Sequence, residues 1–167
     1  MKNIFIVIMT CFLSSVPSEY SGVCLLIPHN EQVPIYSDYN KQEIKGYAIN
    51  DDKIEDYPLI GIYAICGDMA FVDIEYLARS RDYIKGWIEI KHLGVFLNVH
   101  SEPLRVYTEP DYNSDVSFLI KDGRWGIYYQ VIDAHDQWLK IIVPQNPDNI
   151  GWLSPEDQSV NPYTVSC

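Results

Sequence analysis

Leu104-Arg105-Val106-Tyr107-Thr108 repeats, at an offset of 71, a stretch already present as Val33-Pro34-Ile35-Tyr36-Ser37. Lys85-Gly86-Trp87-Ile88 likewise returns as Ile150-Gly151-Trp152-Leu153, at an offset of 65. The offsets differ by six residues, which a change of loop length inside one copy accounts for at small entropic cost. The chain therefore reads as two copies of one pattern.

Between these landmarks both copies show the same order of strand-like runs. In the second they are Leu104 to Tyr107, Val116 to Ile120, Ile127 to Asp133, Trp138 to Val143 and Ile150 to Leu153. In the first they are Val33 to Tyr36, Ile44 to Ile49, Leu59 to Cys66, Phe71 to Leu77 and Gly86 to Ile90. Turn chemistry separates the runs: Glu109-Pro110-Asp111, Lys121-Asp122-Gly123, Ala134-His135-Asp136 and Pro144-Gln145-Asn146-Pro147 favour reversals. Cys66-Gly67-Asp68-Met69 is a tight hairpin signal. Five short strands without an amphipathic helix bury a core by curling into a small barrel, so the expected fold is all-β, two small barrels in tandem. Asn98-Val99-His100-Ser101 is the expected connection between them.

Composition agrees. The 167 residues include 13 Tyr and 4 Trp, residues that suit half-buried strands, and 47% hydrophobic content is enough for a core. With 12 basic and 23 acidic residues the net charge is −11, which excludes nucleic acid as a partner and disfavours anionic lipid surfaces. Positions 19–100 carry 7 basic and 13 acidic residues and positions 101–167 carry 4 and 10, so each half is −6.

Lys2 followed by the apolar run Ile4 to Leu13 reads as a secretory signal core, too short to span a membrane. Cleavage after Ser18 makes residues 1–18 a signal peptide and the protein secreted or periplasmic. Two alternatives are a hydrophobic first strand and lipid modification of Cys11, which follows Ile8-Met9-Thr10; only the latter brings the chain to a membrane. Cys24, Cys66 and Cys167 remain, an odd number in a compartment that permits disulfides. Spacing does not choose a pair, and buried or idle thiols are an equal alternative.

The run Leu104 to Pro110, then Val116 to Leu119, Trp138-Leu139-Lys140-Ile141 and Gly151-Trp152-Leu153 resembles the bacterial SH3-like (SH3b) domain. The first copy resembles it more loosely, through Tyr36, Gly86-Trp87-Ile88 and a 3₁₀ turn expected within Glu89 to Leu93. Its central Trp is missing, with Phe71 standing nearest to the place of Trp138. The resemblance implies SH3-like barrels at 19–98 and 99–167. It also implies a binding role, often toward cell-wall peptides or other extended ligands.

No catalytic constellation is expected. Cysteine catalysis would need Cys24 or Cys66 activated by one of His29, His92, His100 or His135, and none of these thiols opens a helix that would lower its pKa. No Gly-x-Ser-x-Gly elbow is present. Carboxylates are too abundant for any pair to signal glycosidic hydrolysis. No CxxC spacing points to zinc, and Asp51-Asp52 with Asp56, or Asp133 with Asp136, lack the ligand alternation of a calcium loop. No cofactor and no metal are expected.

Aromatic surface remains. Small barrels cannot hide all these rings, and planar amphipathic rings give large contact at low entropic cost. Tyr36, Tyr39, Tyr107, Tyr112, Trp125, Tyr129 and Trp138 are the candidate ligand-binding residues. Tyr39, Tyr112 and Trp125 sit on loop-like segments beside Asp and Asn. Tyr128-Tyr129 must send one ring outward, because successive strand residues face opposite ways. Trp87 and Trp152 are expected as core plugs. Acidic, aromatic grooves prefer ligands bearing amino groups, such as a cell-wall stem peptide with a diamino acid. The alternative partner is a basic protein, with the chain acting as an inhibitor or immunity-type protein on a basic enzyme or toxin.

Overall fold

The computed structural model describes residues 23–26, 32–51, 57–76, 83–98, 103–121, 127–144 and 146–159. The protein is all-β, with two 3₁₀ turns and no α-helix among the described residues. In chain order the strands begin with β1 (Val23–Leu26), β2 (Val33–Tyr36), β3 (Ile44–Ala48), β4 (Leu59–Cys66), β5 (Met69–Glu75) and β6 (Tyr83–Glu89). A 3₁₀ turn, Ile90–His92, leads into β7 (Leu93–Leu97). Then come β8 (Leu104–Tyr107), β9 (Val116–Ile120), β10 (Tyr129–His135), β11 (Trp138–Val143) and β12 (Asn146–Leu153). A second 3₁₀ turn, Pro155–Asp157, leads into β13 (Gln158–Ser159).

Hydrogen bonding follows the path β3-β2-β6-β5-β4-β1-β7-β10-β11-β12-β8-β9, with β13 added on β7. The order reads alike from either end once β8 to β12 are matched to β2 to β6. The two copies are thus structural repeats, arranged about the β1–β7 pair. β1 steps between them: Val23 and Cys24 pair with Gly61 and Ile60 of β4, and Leu25 and Leu26 pair with Gly94 and Leu93 of β7.

The repeat extends to register. β2 shifts register against β3 between Ile35 and Tyr36, and β8 shifts against β9 between Val106 and Tyr107. A second pair of shifts falls between Ile62 and Ala64 in β4 and between Val131 and Asp133 in β10. Tyr36 pairs with Trp87 in one repeat and Tyr107 with Trp152 in the other. The glycine before each tryptophan lets these strands meet. A Cβ on Gly86 would stand 2.6 Å from the Tyr36 carbonyl oxygen, and one on Gly151 would stand 2.7 Å from that of Tyr107.

β7 belongs to both repeats. It pairs with β1 and carries the first repeat to its end, then offers Gly94 and Val95 to Gln130 and Tyr129 of β10, as β1 offers Val23 and Cys24 to β4. β13 in turn pairs with β7 through Gln158 to Leu97 and Ser159 to Phe96. Enclosed in this way, all five β7 residues are buried, the reason its sequence is a continuous apolar run instead of an alternating one. One buried cluster runs through both repeats, including Leu26, Ile35, Ile60 and Val72, then Val95, and on to Val106, Val131 and Ile141. Burying each such side chain fully contributes about 1.5–3 kcal/mol, so the shared strand couples the two halves energetically.

Several boundaries differ from the sequence reading. β5 begins at Met69 because the hairpin turns at Gly67, whose φ is 60°. β10 continues to His135 because the next reversal uses Asp136 and Gln137, at φ 43° and 69°. Paired positive φ values are those of a type I′ turn, which matches strand twist. β1 and β13 were not anticipated, and β7 is the last strand that the resemblance implies after the 3₁₀ turn, although it was not among the strand-like runs read from the residues. Asn98, expected in the connection, continues from β7: its N–H donates to the Asp157 carbonyl at 2.8 Å, and its Nδ2 donates to that of Glu156 at 3.0 Å. Residues 99–101 of that expected connection lie outside the described residues, as do residues 1–18, Cys11 and Cys167.

Candidate aromatic binding sites

The loop after β8, Thr108 to Asp115, is closed by its own backbone. The Thr108 N–H donates to the Asp115 carbonyl at 2.9 Å, and the Ser114 N–H to that of Asp111 at 3.0 Å. Asp111 Oδ1 accepts the Asn113 N–H at 2.9 Å, an Asx turn that places Tyr112 at its apex. The Tyr112 ring lies on Trp138, centroids 4.7 Å apart, and meets Tyr107 edge-on at 6.1 Å. Tyr107 and Trp138 are themselves perpendicular at 5.4 Å. Each element has a role: the register shift re-aims Tyr107, the I′ turn opens β11 on Trp138, and β12 brings Trp152 alongside. Tyr107, Trp138 and Trp152 form a buried cluster, whereas Tyr112 is 51% exposed. Lys140 Nζ sits 5.4 Å from the centroid of the Trp152 ring.

Carboxylates edge this cluster. The Tyr112 hydroxyl donates to Glu156 Oε2. Loss of water around the hydroxyl, with that bond second, pushes the Tyr112 pKa up to about 12. Asp157 is also raised by burial, although the Ser154 hydroxyl donates to it at 2.7 Å. Among the described residues no lysine or arginine pairs with Glu109, Asp111, Asp115 or Glu156.

The first repeat builds the same loop. The Ser37 N–H donates to the Glu43 carbonyl at 2.9 Å, Lys41 N–H to that of Asp38 at 3.3 Å, and Asn40 N–H to Asp38 Oδ1 at 2.9 Å. Tyr39 therefore matches Tyr112. Here its ring meets Trp87 edge-on at 5.8 Å, because the position of Trp138 is held by Met69. Register proves the match: Val72 and Phe71 oppose Gly86 and Trp87, just as Ile141 and Lys140 oppose Gly151 and Trp152. Phe71 is thus the counterpart of Lys140, which corrects its expected equivalence to Trp138. Met69 is fully buried with Cys66 and Trp87, and Tyr36 and Phe71 pack against them. Phe71 and Trp87 lie 5.2 Å apart, while Lys85 Nζ caps the Tyr63 ring at 3.7 Å.

The charge at this edge differs. Lys41 Nζ lies 2.6 Å from Glu89 Oε1 and 3.0 Å from Asp68 Oδ2, and Lys91 reaches Glu89 Oε2 at 2.9 Å. These bonds, Lys41 first, hold the Glu89 carboxyl down at about 2 and raise the Lys41 ammonium pKa. Lys41 makes the contact from φ 60°, a backbone region that lysine seldom enters.

Of the seven candidate residues, Tyr107, Tyr112 and Trp138 come together in the second repeat, and Tyr36 and Tyr39 flank Trp87 in the first. Tyr129 is a core residue, 4% exposed, because the outward-facing member of that pair is Tyr128. Trp125 lies outside the described residues. Trp87 and Trp152, expected as plugs, are buried but also border the sites. The sequence reading did not select Lys41, Met69, Glu89 or Glu156. The signal that locates the loops is the recurrence of Asp38-Tyr39-Asn40 as Asp111-Tyr112-Asn113.

The fold and the paired sites define an all-β protein of two repeats, each carrying an aromatic cluster under an Asp-Tyr-Asn loop. Comparison of the chain with protein-family models, with curated proteins and with solved structures finds no match.

Proposed function

We propose that the chain is a secreted tandem SH3-like module that binds an extended, amine-bearing peptide of cell-wall origin. The carrying observation is the Tyr107-Tyr112-Trp138 cluster, with a half-exposed ring on a buried aromatic floor and carboxylates at its edge that pair with no lysine or arginine among the described residues. Such rings present a rigid, amphipathic surface to an extended backbone. The carboxylates attract its amines. The repeated strand order, the 3₁₀ turn before each last strand and the Gly-Trp step support the SH3-like reading. A net charge of −11 supports a cationic ligand over nucleic acid.

The test is retention of the purified protein on insoluble peptidoglycan at low and at high salt. Retention at low salt that weakens as salt rises is expected, since exposed charge pairing is screened. Absence of retention at low salt contradicts wall binding.

A further inference from the structure

The two repeats build one loop on one scaffold, yet their carboxylate edges are not in the same state. Lys41 and Ser114 are counterparts: each follows the Asp-Tyr-Asn triplet, and each donates its N–H to the carbonyl of that triplet's aspartate, Asp38 at 3.3 Å and Asp111 at 3.0 Å. From this position Lys41 places a primary ammonium between Asp68 and Glu89. Ser114 instead turns its hydroxyl onto the Glu109 carbonyl at 3.1 Å, and Tyr112 takes Glu156.

We infer that Lys41 is an internal ligand that closes the first aromatic site, so that the amine-bearing peptide is taken at the second. This rests on the binding reading above and adds which repeat does the binding and why. The first repeat displays the chemistry its edge accepts: a primary ammonium held by two carboxylates, on the loop that carries Tyr39 and against Glu89, the end of the strand that carries Trp87. A ligand amine arriving there must displace a tethered competitor whose effective concentration is high. At the second site no such competitor stands among the described residues. There Glu156 accepts from a neutral phenol, that of Tyr112, which a cationic ligand can replace at the cost of one hydrogen bond.

The experiment labels the tryptophans with fluorine and follows each resonance by NMR while a soluble muropeptide, its stem carrying a free diamino-acid amine, is titrated in. Assignment comes from single Trp→Phe variants. In the unaltered protein Trp138 and Trp152 are expected to shift and Trp87 to stay, at one equivalent bound. In Lys41→Ala, Trp87 is expected to shift as well and the stoichiometry to rise to two, while Lys41→Arg, which keeps the pair, stays at one. A shift of Trp87 in the unaltered protein, or one equivalent in Lys41→Ala, overturns the inference alone. Silence of every tryptophan in all these proteins overturns the binding reading and the inference with it.

Discussion

Gly151 and Tyr107 touch through backbone: a Cβ at Gly151 would lie 2.7 Å from the Tyr107 carbonyl oxygen and equally close to Val106 Cγ1. The same contact recurs between Gly86 and Tyr36, which carries the recurrence of Gly-Trp from sequence into geometry. Neither obstacle is a flexible side-chain tip, so the strands must part to admit a methyl group. Gly151→Ala and Gly86→Ala are each expected to cost about 1–3 kcal/mol, the usual penalty for overpacking, read by urea denaturation. Wild-type stability in both variants would show that the strands part freely.

Leu93 opens the strand that both repeats use and is fully buried. Leu93→Ala should destabilise the protein by about 2–5 kcal/mol. Because β7 is common, Trp87 and Trp152 should report one shared unfolding transition, before and after the substitution. Two separate midpoints would mean that the halves fold independently.

Glu89 links the first loop to the 3₁₀ turn, and its pKa is lowered from 4.5 to about 2 in the folded protein. A depressed carboxyl adds stability above its unfolded pKa and loses it as the folded form protonates. The advantage of the wild type over Glu89→Gln in melting temperature should therefore be full above about pH 5, shrink below 4.5 and vanish near 2. Salt should reduce it, since the Lys41 side chain is 32% exposed. An advantage that grew on acidification would contradict the pairing.

Tyr112→Phe keeps the ring on Trp138 but removes the hydroxyl from Glu156. The expected loss is about 1 kcal/mol of stability, the net worth of a typical hydrogen bond. Ultraviolet titration should also lose one tyrosine ionising near 12. An unchanged titration curve would assign that ionisation elsewhere.

The paired strands were legible because each repeat alternates and is bounded by turn residues: Val33 to Tyr36, Leu59 to Cys66, Val116 to Ile120 and Trp138 to Val143 stand as read. β7 was not, because Leu93-Gly94-Val95-Phe96-Leu97 is buried on both faces and so carries no alternation. β13 is two residues long, and its pairing depends wholly on β7. In the site, the tyrosines were legible from their loops. Lys41 was not, because nothing local to a lysine in a polar loop shows that Asp68, 27 residues on, and Glu89, 48 residues on, converge on it. The choice of Tyr129 over Tyr128 turned on which face of β10 is the core, which alternation leaves open for two adjacent tyrosines.

The central claim, that the second repeat binds through its aromatic cluster, is tested most directly by calorimetric titration of the same soluble muropeptide into wild type and Tyr112→Ala. Tyr112 is half exposed, so its truncation leaves the buried core intact. The expected result is a dissociation constant raised by at least about tenfold, equal to about 1.4 kcal/mol, in a variant that still unfolds in one cooperative transition and loses more stability than Tyr112→Phe, since it gives up the ring contacts with Trp138 and Tyr107 as well as the hydroxyl. Equal affinity in the two proteins would contradict the account.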